Sequence, residues 1–238
     1  FKYRITHTIE GLIIKDKKLC YITGEYKEGY TSGIAKMSLE TLRQEALVEI
    51  IDNYKNCKLC QLGTAREARA KNVIFGRGNI DALGMIIAEA PGRWEEDTGV
   101  TLHPQAPAGG VLFRVMSKVD LNQEDWYLTN AVICRPLPKE EEKKENATPT
   151  MECIKVCNER LKRTVRAIAP KLVVLLGASA YKAWFGKEPE SLKTCLGWQS
   201  SLDENGNAIN YFVYVTYHPS HIARQEGLGD ATEIKNLY

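Results

Sequence analysis

Two kinds of apolar pattern alternate along this chain. Met85-Ile86-Ile87-Ala88, Trp126-Tyr127-Leu128-Thr129, Lys171 through Gly177 and Tyr211 through Thr216 are short, nearly continuous apolar runs rich in β-branched and aromatic residues. Such runs predict strands covered on both faces, as in a parallel sheet. Between them lie stretches with a 3–4 repeat. Leu39, Leu42, Ala46, Leu47, Ile50, Ile51 and Tyr54 mark one helical face in a segment that Ser38 can cap and that runs to about Lys55. A second helix is predicted from about Thr148 to Pro170, with Ile154, Cys157, Leu161, Val165 and Ile168 inward, and a short third one passes through Ala180 and Ala183. Strands alternating with helices predict an α/β domain with a central, mostly parallel, four-stranded sheet. Residues 1–37 read instead as a small strand-rich extension, with Gly11–Lys15 and Leu19–Thr23 at hairpin spacing; the α/β domain is expected over 38–238. The charge run from Pro138 to Asn146 reads as a solvated loop.

Composition narrows the class only a little. The 238 residues are 44% apolar and 26% charged, as in ordinary soluble globular proteins, and no apolar run approaches the ~18 residues of a membrane span. The net charge of +2 means that a nucleic-acid partner would need a local basic face. Cysteine usage says more. Seven cysteines stand at 20, 57, 60, 134, 153, 157 and 195; an odd count with one tight pair argues against a secreted disulfide framework and for a reducing, cytoplasmic setting. Four thiolates converging from Cys57, Cys60, Cys134 and Cys157 suit a [4Fe–4S] cluster or a zinc ion, with Cys153 competing for the last position.

Ligands of open α/β sheets bind beyond the carboxyl ends of the strands. Glu89 follows the run at 85–88, Asn130 the run at 126–129, and His218 the run at 211–216. Three chemically capable side chains at three strand ends point to one shared crevice.

In order along the chain, Glu89-Ala90-Pro91-Gly92, Asn130 with Cys134-Arg135-Pro136, Pro170 through Gly177, and Tyr217-His218-Pro219-Ser220 resemble the motifs of the uracil-DNA glycosylase superfamily, and most closely its family 4, the iron–sulfur enzymes. The resemblance covers roughly residues 39–225. It implies a three-layer α/β/α fold, DNA as partner, a monomer, and a [4Fe–4S] cluster on Cys57, Cys60, Cys134 and Cys157, with zinc as runner-up. It also implies a reaction in which a pyrimidine nucleotide is flipped out of DNA and its N-glycosidic bond is hydrolysed. His218 would donate to the oxyanion developing on the base, while Glu89 and Glu95 orient water or steady the sugar cation. Ala90, Leu102, His103 and Asn130 would line the base, the Asn130 amide matching a pyrimidine edge. Ser220, Arg135 and Arg224 would meet phosphates, and Ile222 would wedge into the base stack.

The pattern departs from the family most in Thr101-Leu102-His103-Pro104-Gln105-Ala106-Pro107-Ala108-Gly109-Gly110, where Leu102 takes the place of a base-stacking Phe and the loop is longer. A stacking aromatic is worth ~1–3 kcal/mol per base, so its loss predicts a reshaped pocket. A modified pyrimidine, as in phage DNA met in antiviral defence, is the expected consequence, with His103 or Trp94 supplying the contact if the substrate is plain uracil. The alternative is a non-catalytic nucleic-acid-binding module that keeps fold and cluster.

Overall fold

The apolar run at 84–88 is buried at every position, as a strand needs when both sheet faces are covered. The computed structural model describes residues 13–15, 18–20, 39–138, 146–199 and 211–227. Its strands are β1 (Ile13–Lys15), β2 (Lys18–Cys20), β3 (Arg77–Gly78), β4 (Gly84–Ala88), β5 (Trp126–Asn130), β6 (Leu172–Leu176), β7 (Gly197–Gln199) and β8 (Phe212–Thr216). The helices are α1 (Leu39–Tyr54), α2 (Gln61–Ala68), α3 (Arg93–Thr98), α4 (Pro107–Lys118), α5 (Met151–Ile168), α6 (Gly177–Phe185) and α7 (Pro219–Gly227). β1 and β2 pair antiparallel; the rest of 1–37, Cys20 side chain included, and the charge run at 139–145 lie outside the described residues.

The main sheet has six strands in the order β3-β5-β4-β6-β8-β7. The four predicted strands form its parallel centre, and β3 and β7 add antiparallel edges. The expected count of four is thus corrected to six. The edge strands have two and three residues, too few for a period of two to register.

Side-chain alternation divides the core. Met85, Ile87, Tyr127, Val173, Leu175, Val213 and Val215 face one way, into a cluster with Ile154, Leu161 and Val165 of α5 and Ala180 of α6. Ile86, Ala88, Trp126, Leu128 and Leu176 face the other way, against Leu112 and Met116 of α4. α1 packs on α5, and α7 packs on α4. The result is the three-layer α/β/α arrangement. Thr150 caps α5, its hydroxyl accepting from Cys153 N at 3.3 Å, and the stripe expected from Ile154 to Ile168 is turned inward.

The segment expected as a long Pro- and Gly-rich loop becomes helical at Pro107, which takes the first helical position where its missing N–H costs nothing. Gly109 lies in that first turn, and a Cβ there would stand 2.1 Å from the His103 carbonyl oxygen. Gly109→Ala is therefore expected to cost about 1–3 kcal/mol by overpacking. Gly110→Ala, with 3.1 Å to the Pro104 carbonyl oxygen, should cost less; denaturant titration of the two variants checks the order.

Candidate active site

Asn130 closes β5 beside Ala88, its register partner at the end of β4. The chain beyond β5 keeps hold of β4, with Ala131 N donating to Ala88 O at 2.8 Å and Val132 N to Glu89 O at 3.3 Å. Leu176 and Thr216 end β6 and β8 in register. Asn130, Glu89, the start of α6 and His218 therefore sit in sequence across four neighbouring strand ends. Alternation turns the Asn130 side chain toward the α4 face of the sheet, the same side as Leu128. It is only 1% exposed, yet neither amide atom has a hydrogen-bond partner. A buried unsatisfied amide costs roughly 1–3 kcal/mol, and unsatisfied groups of this kind mark ligand and catalytic positions.

His218 directly precedes α7. The Ser220 backbone N–H donates to its Nδ1 at 3.2 Å, and the Ser220 hydroxyl lies 2.8 Å from the same atom. A backbone N–H can only donate, so Nδ1 carries a lone pair and the ring proton resides on Nε2. Burial, aided by the Arg224 charge, pulls the His218 pKa down to about 4. At neutral pH the ring is an uncharged donor through Nε2. Gly177, at φ 82°, opens α6 against it; a Cβ there would fall 2.9 Å from His218 Cβ.

Glu89 is half-buried, and the Ser179 hydroxyl donates to its Oε2 at 3.0 Å. Burial raises its pKa; hydrogen bonds from Ser179 and Thr148 and the charges of Lys182 and Arg224 oppose that rise. The first turn of α6 links the two, with Gly177 against His218 and Ser179 bonded to Glu89. Glu95 is buried, not part of a solvated loop. Its Oε2 accepts from Gly92 N at 2.9 Å, holding the start of α3. Burial pushes its pKa up, against hydrogen bonds from the backbone and the nearby His103 and Arg135. His103 accepts from Gln105 N at 3.1 Å through Nδ1 and lies 5.8 Å from the Trp94 ring, centre to centre.

Four sequence expectations change. Leu102 is fully buried in the cluster with Ala88, Leu112, Leu128 and Leu176, so it fills core and does not offer a stacking face to a base. Its backbone has a left-handed φ of 48°, held by Arg77 Nε donating to Thr101 O at 2.7 Å and Nη2 to Leu102 O at 3.3 Å. Ile222 is buried under α4 and cannot act as a wedge. Arg135 is spent inside the protein, on Asn146 Oδ1 at 2.9 Å and Glu96 Oε2 at 3.2 Å. The Ser220 hydroxyl donates to His218, which leaves it only acceptor capacity, the wrong polarity for a phosphate. Of the four DNA-contact candidates, Arg224 alone is exposed. Ala90 is half-buried beyond β4 and packs its methyl group against the core, leaving only its backbone N–H and C=O as polar groups.

Sequence reading also missed the buried Glu96, which accepts from Arg69 at 2.6 Å as well as from Arg135. That bridge joins α2, α3 and the segment after β5.

Cys57, Cys60, Cys134 and Cys157 line one apolar cavity together with Tyr54, Leu62, Val132 and Ile133. Burial lifts the Cys134 thiol to about 12, and neighbouring Cys157, Cys60 and Cys57 push the same way. The competing Cys153 is fully buried in the same wall, beside Cys60. Arg66 Nη2 holds the Cys57 carbonyl at 3.2 Å. Among the described residues no three Cys, His, Asp or Glu side chains are gathered to hold one metal ion. Cysteines set along one apolar cavity are donors that a [4Fe–4S] cluster or a zinc ion could use. Cys195 lies elsewhere, next to Tyr181.

The family model for the uracil DNA glycosylase superfamily matches residues 75–237. The chain is 31% identical over 187 residues to the Type-4 uracil-DNA glycosylase of Thermotoga maritima, covering 76% of this chain and 85% of that protein. It is 28% identical over 192 residues to that of Archaeoglobus fulgidus, covering 79% and 89%. Against that of Saccharolobus solfataricus it is 31% identical over 175 residues, covering 72% and 74%. With the fold and the strand-end residues, these matches define the class as DNA glycosylase. The chain belongs to the uracil DNA glycosylase superfamily, on its type-4 branch.

Proposed function

We propose that this chain is a monofunctional glycosylase that removes uracil, or a modified pyrimidine of similar edge, from DNA in base excision repair. The unpartnered, buried Asn130 amide carries the reading. A flipped pyrimidine satisfies both of its atoms: Nδ2 donates to the exocyclic O4 and Oδ1 accepts from N3–H. His218 Nε2–H donates to O2, where negative charge develops as the C1′–N1 bond breaks and its electron pair stays with the base. Glu89, steadied by Ser179, faces the sugar cation; water adds to C1′ and passes its proton to Glu89, which hands it on to the departed base anion. Lys182, which feels Glu89, is ion-paired to Glu188 at 3.0 Å, so its amine is not offered for a lyase step. Arg224 is the phosphate partner, and Trp94 with His103 provides the aromatic surface that Leu102 does not. A [4Fe–4S] cluster on Cys57, Cys60, Cys134 and Cys157 would hold α1, α2, α5 and the segment after β5 together, a structural service.

The test is a set of oligonucleotides bearing uracil, hydroxymethyluracil, hydroxymethylcytosine or its glucosylated form, with abasic sites scored by alkali. Base release from uracil or hydroxymethyluracil, lost in Asn130→Ala, supports the reading. Release from the phage-type cytosines moves the substrate toward antiviral defence. Tight binding with no abasic site on any base supports the non-catalytic module instead.

A further inference from the structure

Arg160 is 1% exposed, on the inner face of α5. Its Nη2 donates to Asn130 O at 2.8 Å, Ala131 O at 2.9 Å and Cys157 Sγ at 3.7 Å, and its Nη1 to Thr129 Oγ1 at 3.2 Å. Nε has no partner. The same residue borders a second, mostly apolar cavity with Leu47, Ile50, Phe75 and Tyr127. None of these partners is a carboxylate. A guanidinium withdrawn from water without a counter-charge is costly. Among its hydrogen-bond partners in the described residues, Cys157 is the one whose side chain can carry negative charge.

We propose that Arg160 is a positioning residue that ties the base-reading end of β5 to the cysteine-held cluster. This rests on the reading of Asn130 and of the four cysteines given above. From the α5 side of the sheet the guanidinium grips the carbonyls of residues 130 and 131, while the Asn130 amide projects on the other side. With iron bound, the ligating thiolates carry net negative charge. They then supply the missing counter-charge, and the hydrogen bond to Cys157 Sγ tunes the cluster, as hydrogen bonds to cluster sulfurs do. One side chain thus fixes the backbone from which the base is read and senses whether the cluster is in place.

The test uses the iron-loaded full chain and compares Arg160→Met and Arg160→Lys with wild type by redox titration of the visible absorbance and by kcat and KM on a uracil oligonucleotide. Removing a positive charge beside the cluster makes the more negative reduced state harder to reach, so Arg160→Met should lower the midpoint potential. Its kcat should fall about 10–100-fold, as for residues that orient first-layer groups, with a smaller change in KM. Arg160→Lys keeps the charge and should recover most of the potential. Its single nitrogen, with three N–H donors, cannot serve the four acceptors that the two guanidinium nitrogens reach, so kcat should stay low. A potential and kcat of wild-type value in Arg160→Met overturn the proposal, and so does a wild-type chain that holds no iron. If Arg160→Met does not fold, a wild-type kcat in Arg160→Lys overturns it. A chain that holds the cluster but releases no base defeats the functional reading alone; the potential of Arg160→Met then still decides the tie to the cluster.

Discussion

His218→Ala is expected to slow base release by about 10²–10³-fold, the usual consequence of deleting one oxyanion donor. Most of the loss should appear in kcat, because charge on the base oxygen grows only as the bond breaks. The tautomer makes the result specific. With Nδ1 occupied by the Ser220 N–H and hydroxyl, only Nε2 can donate, so Ser220→Ala should give a smaller loss through a looser ring. Stability gives an independent readout. The folded pKa is about 4, below the ordinary value near 6.5. Between these values the unfolded chain binds the extra proton, so the folded state loses stability as pH falls through that window. The linkage amounts to about 2 kcal/mol between pH 7 and pH 5. Glu89 and Glu95, with raised pKa values, act with the opposite sign, so the comparison must be made between wild type and variant. Denaturant titrations at the two pH values should show a flatter response in His218→Ala. Equal base release by variant and wild type would remove His218 from the chemistry.

Cys134→Ser is expected to have the other large effect, on stability more than on chemistry. The thiol is buried and strongly protonated without metal. Cluster binding must therefore release protons and should weaken as pH falls. A group that joins distant segments contributes its binding energy to folding. Loss of even several kcal/mol lowers the melting temperature of a chain this size by on the order of 10 °C. The visible absorbance near ~400 nm, typical of a [4Fe–4S] centre, should vanish together with that stability, and chelation of iron from the wild type should reproduce both changes. Cys195→Ser, outside the cavity, should keep colour and melting temperature. Full iron content in Cys134→Ser would break the assignment. The same measurement on Cys153→Ser and Cys157→Ser decides between the two neighbours on α5.

The parallel centre of the sheet was legible because each strand is an apolar run with one neighbour on each side. Its carboxyl ends were legible for the same reason, which is how Glu89, Asn130 and His218 came to be grouped. Helices α2 and α4 were not, since a basic stretch after Cys60 and a Pro-Gly stretch before Val111 both resemble loops until Pro107 is placed at a helix start. Burial of Ile222 and the internal pairing of Arg135 depend on what folds over them, which local pattern does not carry. Arg160 could have been found. It lies three residues after Cys157, on the stripe shared with Leu161 and Thr164, while Lys155, Lys162 and Arg166 lie on the exposed face. A cation on the apolar side of a helix is a signal in its own right. Ser179 offered no comparable sign.

The Arg69–Glu96–Arg135 bridge has a practical consequence for anyone who assays this enzyme. Glu96 has only 3% of its side chain in contact with solvent, so mobile ions scarcely reach it, whereas the contact proposed between the exposed Arg224 and a phosphate would lie in open solvent. Raising sodium chloride should therefore strip DNA from the protein long before it loosens the scaffold. The slope of log affinity against log salt then counts displaced counterions alone, with no hidden contribution from a protein that is itself coming apart.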